Sequence, residues 1–265
     1  MQKNLKYIWI IAGLTFGILS SAQAQVLDTL PNRIGLQHLQ SFYDNGQDPS
    51  FISGVEYMRR LKNKSTLIGR VNYAHRTAGD GWQGELETYW THSPKYYSYA
   101  SVSFSKGLVF PQWKAGYSLF RNFNKGWEAD LGYRFLRAED INMHSLSWGV
   151  GKYVGNYWIN LHGYLIRDAD KTHQSYRLSA RYYLNDQLDY VTAMLFTGTS
   201  PDDRSRNFNY NSFSSFISKG FGLGYKKSFG SKYQGLIIGS YNNQKIADNA
   251  YLNQVDISVS LYRNF

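Results

Sequence analysis

The chain has no cysteine among its 265 residues, which excludes a disulfide framework, a thiolate metal site and a cysteine nucleophile. It has no long apolar run after residue 25, so that part of the sequence offers no transmembrane helix. No segment sustains a 3.6-residue apolar period, and no Lys/Arg-rich run accompanies the net charge of +10. These absences argue against a helical protein and against a nucleic-acid partner, and we expect no metal and no cofactor.

The N-terminus has the pattern of a cleaved signal peptide. Lys3 and Lys6 form a short basic region, and residues 8–18 form an apolar stretch that is short for a bilayer span. Ala22 and Ala24 supply the small residues that a signal peptidase needs, so we predict cleavage after Ala24. A retained membrane anchor is the alternative, but no basic stop-transfer flank follows.

The rest of the sequence alternates with a period of two. In the last predicted strand one face carries Val255, Ile257, Val259 and Leu261. The other face carries Gln254, Asp256, Ser258, Ser260 and Tyr262. Segments 126–137 and 157–167 alternate in the same way, and the chain contains 23 tyrosines and 24 glycines. Segments of about ten residues with this pattern are typical of transmembrane β-barrels, whose polar interior explains the low mean hydropathy of −0.46.

A periplasmic antiparallel sandwich would also alternate, with its polar face toward water. Aromatic residues favour the barrel, because Trp and Tyr concentrate at membrane interfaces. Trp82, Trp90, Trp113 and Trp127 all fall near predicted strand ends. We therefore predict an all-β fold, a transmembrane antiparallel up-and-down β-barrel in the cell outer membrane, with outer-membrane lipid and lipopolysaccharide as its surroundings.

Counting the alternating segments gives fourteen strands, and twelve remains an alternative. The count is even, as single-chain bacterial barrels require. Tight turns alternate with longer links, the longest at 200–211, and short turns usually face the periplasm. The sequence thus predicts both termini in the periplasm, a signal peptide at 1–24, a short lead at 25–32 and the barrel at 33–265.

The chain ends on an aromatic residue, Phe265, at the end of an alternating strand. A closing strand must pair with the first strand, because an open edge in lipid would leave backbone groups unpaired. A C-terminal aromatic on such a strand resembles the signal read by the barrel-assembly machinery. We expect Phe265 to act as the assembly signal for that partner.

Several blocks in the middle of the chain resemble the YaiO-like outer-membrane β-barrel family. The blocks that carry the resemblance are 99–123, 126–135, 151–165, 177–184 and 198–202. They occur in order through the middle and C-terminal two-thirds, while the first hundred residues match only in pattern. The resemblance implies an integral outer-membrane protein and does not settle an activity.

Charged residues on the predicted inner face are the candidate functional residues. They are Arg70, Glu85, Glu87, Glu128, Asp130, Arg134, Arg177 and Arg181. Hairpin pairing across 77–81 is expected to place Arg70 opposite Glu87. One interpretation is a structural network, since an unpaired charge in a confined interior is costly. The other is a charged constriction that selects polar or anionic solutes.

A surface hydrolase is a further alternative. It would need a serine and a histidine on the outer face near the rim, and His144 lies close to Ser145 and Ser147. On a strand His144 would face away from both serines, so an enzyme is the less favoured interpretation. We predict a barrel largely filled by side chains, with an envelope structural or glycan-related role. We expect the longest link, at 200–211, not to fold deep into it.

Overall fold

Fourteen antiparallel strands close into one barrel in the computed structural model, which describes residues 30–106, 109–168, 171–184, 187–202, 217–247 and 249–265. Each strand pairs with its neighbours in sequence, and β1 closes the barrel against β14. The strands are β1 (Asn32–Tyr43), β2 (Ser50–Arg60), β3 (Thr66–Arg76), β4 (Gly79–Thr91), β5 (Tyr96–Lys106), β6 (Trp113–Asn122), β7 (Trp127–Ala138), β8 (Ile141–Val154), β9 (Tyr157–Asp168), β10 (Lys171–Tyr183), β11 (Tyr190–Thr197), β12 (Ser218–Phe229), β13 (Tyr233–Ala247) and β14 (Ala250–Asn264). The prediction of a fourteen-stranded barrel is confirmed. The predicted signal peptide, residues 1–24, lies outside the described residues.

Alternation along each strand separates a lipid-facing surface from the lumen. On β14, Val255 and Leu261 are 45% and 59% exposed, whereas Gln254 and Asp256 are almost fully buried. The outward side chains of the other strands are mostly apolar and exposed, and the inward ones are mostly polar. Burial of polar rather than apolar groups is the pattern of a barrel whose outer solvent is lipid. None of the described residues belongs to a helix long and apolar enough to cross a membrane.

The first strand begins and the last strand ends at the same end of the barrel, which we call the terminal end. The Asn32 amide donates to the Phe265 carbonyl at 3.0 Å, and the Phe265 amide donates to the Asn32 carbonyl at 2.9 Å. The last residue of the chain therefore takes part in closing the barrel. The opposite end, which carries the β11–β12 connection (198–217), we call the loop end.

Four connections at the loop end are shorter than the sequence predicted. The sequence predicts these links at 77–81, 138–142, 168–172 and 245–250, but the strands continue into them, so that only two residues separate the successive strands at each place. The positive φ angles of Glu139 and Asn249 (51° and 60°) are typical of such tight hairpins. The predicted contrast between short and long links is therefore wrong at these four places. The connections at 44–49 and 107–112 keep the predicted greater length, and the β11–β12 connection is the longest.

The tighter β3–β4 hairpin also corrects the predicted register. Arg70 pairs directly with Glu85 rather than with Glu87. The error is two residues, so every side chain stays on its predicted face. Arg70 still reaches the carboxylate of Glu87, because diagonal neighbours on one face of a sheet lie within reach of long side chains.

Aromatic side chains ring the outer surface near both ends of the barrel. Trp82, Trp90, Trp113 and Trp127 all face outward and are 44–63% exposed. At the terminal end the Lys152 ammonium lies 4.4 Å from the Trp127 ring centroid. These side chains occupy the level where amphipathic rings meet lipid headgroups, as the sequence predicted.

Candidate functional site in the barrel lumen

Two arginines and three glutamates form a compact group on the inner wall of β1–β4, which we call the acid–arginine network. Glu56 accepts from Arg33 and from Arg70, each at 2.7 Å. Arg70 also lies 2.7 Å from Glu87 and 3.5 Å from Glu85. The side chain of Glu56 is only 2% exposed. Its charge is stabilised there by both guanidinium groups and by the Gln37 side-chain amide, which donates to it at 2.9 Å.

A second ion pair joins distant parts of the lumen. Asp202, in the β11–β12 connection, accepts from Arg134 Nε on β7 at 3.2 Å and from the Tyr164 hydroxyl on β9 at 2.8 Å. Arg134 also donates to the Ser118 hydroxyl at 3.0 Å, and its guanidinium lies 5.4 Å from the Tyr99 ring centroid. The start of the connection, residues 200–202, therefore lies against the lumen wall. The expectation that the link at 200–211 does not fold deep into the barrel falls mainly on residues 203–211, which lie outside the described residues.

Local sequence explains why the chain turns inward after β11. Gly198 has a φ of +73°, a left-handed conformation that glycine adopts without strain. The next residues, Thr199, Ser200 and Pro201, are buried, and the Ser200 hydroxyl accepts from the Asp202 amide at 3.1 Å. This turn fixes the direction in which Asp202 enters the lumen.

The charge of Asp202 is held in place by its surroundings. Burial opposes ionisation of the carboxyl group, but Arg134, Lys114 and the Tyr164 hydroxyl together outweigh it. The pKa of Asp202 therefore lies below its usual range, and the residue is ionised at neutral pH. The contact with Arg134 is an ion pair under physiological conditions.

A third polar cluster centres on Asp256 near the loop end. Its carboxylate accepts from Ser41 at 2.6 Å, from Gln254 at 2.6 Å and from Asn242 at 2.9 Å. These side chains come from β1, β13 and β14, so the cluster spans the closing strands of the barrel. Hydrogen bonds from neutral donors satisfy this buried carboxylate.

The eight candidate residues do not form one network. Arg70, Glu85 and Glu87 lie together in the acid–arginine network, and Arg134 pairs with Asp202 instead. Glu128 accepts from the Tyr97 hydroxyl at 2.9 Å. Asp130 lies 3.2 Å from His162 Nε2. In the part of the chain that the structure describes, no ion pair involves Arg177 or Arg181.

The sequence missed three participants for different reasons. Arg33 shares an inward face with Gln37 and Ser41, so alternation in the first strand could have identified it. His162 lies in the alternating segment 157–167, but alternation does not identify its partner Asp130. Asp202 had no periodic signal, because it lies beyond the end of β11, in the link predicted at 200–211.

Side chains shield most of the lumen wall from water. Many of the inward-facing residues are less than 10% exposed, including Asn72, Glu87, Ser118, Asp130, Arg134, Ser147, Thr192 and Gln254. A cavity of about 280 Å³ remains between β1–β3 and β10–β14. Its lining combines amide groups from Gln37, Asn72 and Asn242 with Arg177, Phe196 and Asp202.

The structure does not bring His144 together with Ser145 or Ser147, as the hydrolase alternative requires. β8 is regular, so His144 faces outward and contacts the Tyr133 hydroxyl, while Ser145 and Ser147 face the lumen. Elsewhere on the outer face, His38 Nδ1 lies 2.8 Å from Ser53 Oγ. No described carboxylate or amide side chain is hydrogen-bonded to His38 to orient it, as a catalytic base requires.

No group of three or more histidine, aspartate or glutamate side chains within the described ranges is placed to hold a metal ion. The site is therefore a set of ion pairs and hydrogen bonds in a confined lumen. Such a lumen can bind polar ligands or block their passage.

Known barrels share this architecture. A bacterial polysaccharide outer membrane secretin is 10% identical with a TM-score of 0.59, and the match covers 89% of this chain and 98% of that one. The CymD monoaromatic hydrocarbon channel is 9% identical with a TM-score of 0.61, over 92% and 93% of the two chains. The Pseudomonas putida toluene transporter TodX is 10% identical with a TM-score of 0.60, over 89% and 90%. At these identities the likeness shows the fold alone.

A comparison with curated proteins found no significant match. The model of the YaiO membrane beta barrel domain matches residues 31–203. The match begins at the first strand, so the view that the first hundred residues agree only in pattern is corrected, and it ends before β12. Since it covers more than half of the sequence, the chain belongs to the YaiO membrane beta barrel family and is an outer-membrane β-barrel protein.

Proposed function

We propose that the protein is a largely occluded outer-membrane barrel that serves the cell envelope as a structural or saccharide-binding protein rather than as a general porin. The observation that carries this proposal is the shielding of the lumen wall. Ser118 and Ser147, on opposite sides of the β7 strand, are both 0% exposed although they face the interior. In an open aqueous channel such side chains would be in contact with water.

The inward turn at residues 198–202 supports the same conclusion. It places a carboxylate inside the lumen and holds it against β7 and β9 through Arg134 and Tyr164. Because the strands on both sides of the contact are fixed by the barrel, the bridge restricts the space available to a solute. The amide and hydroxyl groups around the remaining cavity suit ligands with many hydroxyl groups.

Planar bilayer recordings test this proposal. The unmodified protein should show little or no steady conductance, because the lumen is filled. Replacing Arg177 and Arg181 together with alanine should raise the conductance, since both long side chains face the lumen. Large, stable, porin-like conductance from the unmodified protein would contradict the proposal.

A channel for small anionic solutes is the second candidate function. Arg177 lines the cavity, and Arg181 lies four residues further along the same face of β10 toward the terminal end. Neither guanidinium is neutralised by a described carboxylate, so the two could attract anions. Small but anion-selective conductance, lost in the double alanine variant, would favour this alternative.

The closing strand leads to a prediction about assembly. We expect deletion of Phe265 to reduce insertion into the outer membrane, because its backbone groups complete the β1–β14 pairing and its ring is 47% exposed at the terminal end. Heat-modifiable mobility on gels measures the folded fraction. Phe265→Tyr is the control that keeps an aromatic end. A deletion variant that folds and inserts as well as the unmodified protein would contradict this role.

Three cations near the loop end are candidates for contacts with lipid. Lys106, Arg137 and Arg167 face outward near the loop end on β5, β7 and β9, and all three are exposed. We expect this end to face outward from the cell, where these cations would meet the phosphate groups of lipopolysaccharide.

A further inference from the structure

Aromatic rings surround an arginine on the inner wall near the terminal end. Arg181 Cζ lies 4.7 Å from the Trp158 ring centroid and 4.8 Å from the Tyr190 ring centroid. Tyr153 lies 6.4 Å from Trp158, and Tyr183 lies 5.6 Å from Tyr190, measured between ring centroids. We call these five residues, from β8, β9, β10 and β11, the aromatic–arginine cluster.

Strand pairing builds this cluster. Trp158 and Arg181 are direct partners across β9 and β10, and Tyr190 pairs with Lys226 across β11 and β12. All four face the lumen, so cations and rings alternate around this side of the wall. Tyr153 is 49% exposed, which leaves the cluster accessible from the terminal end.

The charge of Arg181 is not matched by a carboxylate in the described part of the chain. Glu128, an acidic residue at the same end, accepts instead from the Tyr97 hydroxyl. Stacking against two rings stabilises a guanidinium group, but leaves its in-plane N–H donors available. A confined cation with free donors is a binding position for an anion.

The surroundings of Arg181 also supply apolar surface and further polar groups. The rings of Tyr153 and Trp158 provide flat faces, and the Trp158 indole N–H has no hydrogen-bond partner among the described residues. Further along the inner wall, on β12 and β13, the Ser228 hydroxyl and the Gln234 side-chain carbonyl also lack a hydrogen-bond partner within the described ranges. Aromatic faces combined with a few polar groups and one charge are typical of small-molecule sites.

We propose that the aromatic–arginine cluster binds an anionic saccharide, with Arg181 pairing with the carboxylate of a uronic acid and the Tyr153 ring packing against the sugar. This inference rests on the proposed function, since it names the class of saccharide that the occluded lumen would bind. A neutral sugar would leave Arg181 without its counter-ion, and inorganic phosphate would leave the rings uncovered. Both are therefore expected to bind more weakly.

Trp158 provides a direct readout. It is the one tryptophan in the described ranges that faces the lumen, since Trp82, Trp90, Trp113, Trp127 and Trp148 are exposed on the outer surface. Titrating the folded protein in detergent with galacturonate should change its tryptophan fluorescence. The change should be absent in Trp158→Phe, while calorimetry should still detect binding to that variant.

Arg121 offers a matched control for Arg181. It lies at the same end of the barrel, 5.5 Å and 4.7 Å from the Tyr96 and Phe123 ring centroids, but on the outer face. Arg181→Gln should weaken galacturonate binding about tenfold, as expected for the loss of a hydrogen-bonded charge. Arg121→Gln should leave it unchanged, and galactose should bind about tenfold more weakly than galacturonate.

Three results would overturn this assignment. They are no galacturonate binding, equal binding of galacturonate and galactose, and equal loss of binding in Arg181→Gln and Arg121→Gln. Phosphate binding as tight as galacturonate binding, with the same dependence on Arg181, would overturn the assignment of a saccharide as the ligand. Conductance and uronate binding are separate measurements. Low conductance without uronate binding would therefore reject this binding site and would still agree with an occluded barrel.

Discussion

Replacing Asp202 with alanine should open the barrel and raise its conductance in planar bilayers several-fold above that of the unmodified protein. The change removes the acceptor of Arg134 and of the Tyr164 hydroxyl, which hold the start of the β11–β12 connection inside the lumen. The side chain of Arg134 is 8% exposed and that of Asp202 is 34% exposed, so water partly screens the pair and its loss should weaken the contact by about 1–3 kcal/mol. That cost is large enough to favour release of the connection from the lumen.

Asp44→Ala is the matched control. Asp44 also lies in a loop-end connection and accepts from Asn253, and its pKa is lowered by those hydrogen bonds, but it is exposed outside the lumen. Its replacement should leave the conductance unchanged. If the Asp202 variant stays as closed as the unmodified protein, strand side chains alone block the lumen and the bridge has no role in closure.

The lowered pKa of Asp202 gives this contact a defined pH dependence. A carboxyl group whose pKa falls on folding stabilises the folded contact above its ordinary pKa of about 4, and the contribution disappears as pH falls through the lowered value. The unmodified protein should therefore keep its low conductance from pH 7 down to about 4 and open only below that range.

Replacing Arg70 with methionine should produce the largest loss of stability. Arg70 is the central cation of the acid–arginine network and contacts the carboxylates of Glu56, Glu85 and Glu87. Without it Glu56, Glu85 and Glu87 lose the cation that their carboxylates share. We expect the free energy of unfolding to fall by about 3–5 kcal/mol, measured by urea unfolding in lipid vesicles.

Arg59 supplies the control for that experiment. It lies on the neighbouring strand near the same level but faces outward and is exposed. Arg59→Met should change the free energy of unfolding by no more than about 0.5 kcal/mol. Adding Glu87→Gln to the Arg70 variant should restore part of the stability, because it removes one repelling charge. An equal free energy of unfolding in the Arg70 and Arg59 variants would mean that the acid–arginine network contributes nothing to stability.

Much of this fold could be predicted from the sequence because a barrel imposes one strict rule. Each strand must alternate between lipid and lumen, so the side of every charged residue follows from its position in the strand. Arg70, Glu85, Arg134 and Arg181 were all placed correctly on the inner face for this reason. The register error of two residues at the β3–β4 hairpin left those faces unchanged.

Partners within the lumen could not be predicted in the same way. Alternation states which face a side chain occupies, but not which side chain it meets across the interior. Asp202 shows the difference, because its position depends on the backbone turn at Gly198 and on Arg134, 68 residues earlier in the chain. The length of the loop-end hairpins was also missed, because polar residues can continue a strand where no apolar face is required.

The claim that side chains fill the lumen is tested most directly by the reactivity of thiols inside the barrel. The sequence has no cysteine, so single cysteines can be introduced at chosen positions. Single cysteines at Ser118 and Ser147 would face the lumen at positions that are 0% exposed, and one at Ser231 would lie in an exposed turn. If the lumen is filled, a small maleimide should label the two inner cysteines about a hundredfold more slowly than Ser231→Cys, because labelling requires local opening. Comparable labelling rates at all three positions would show an open lumen and contradict the account.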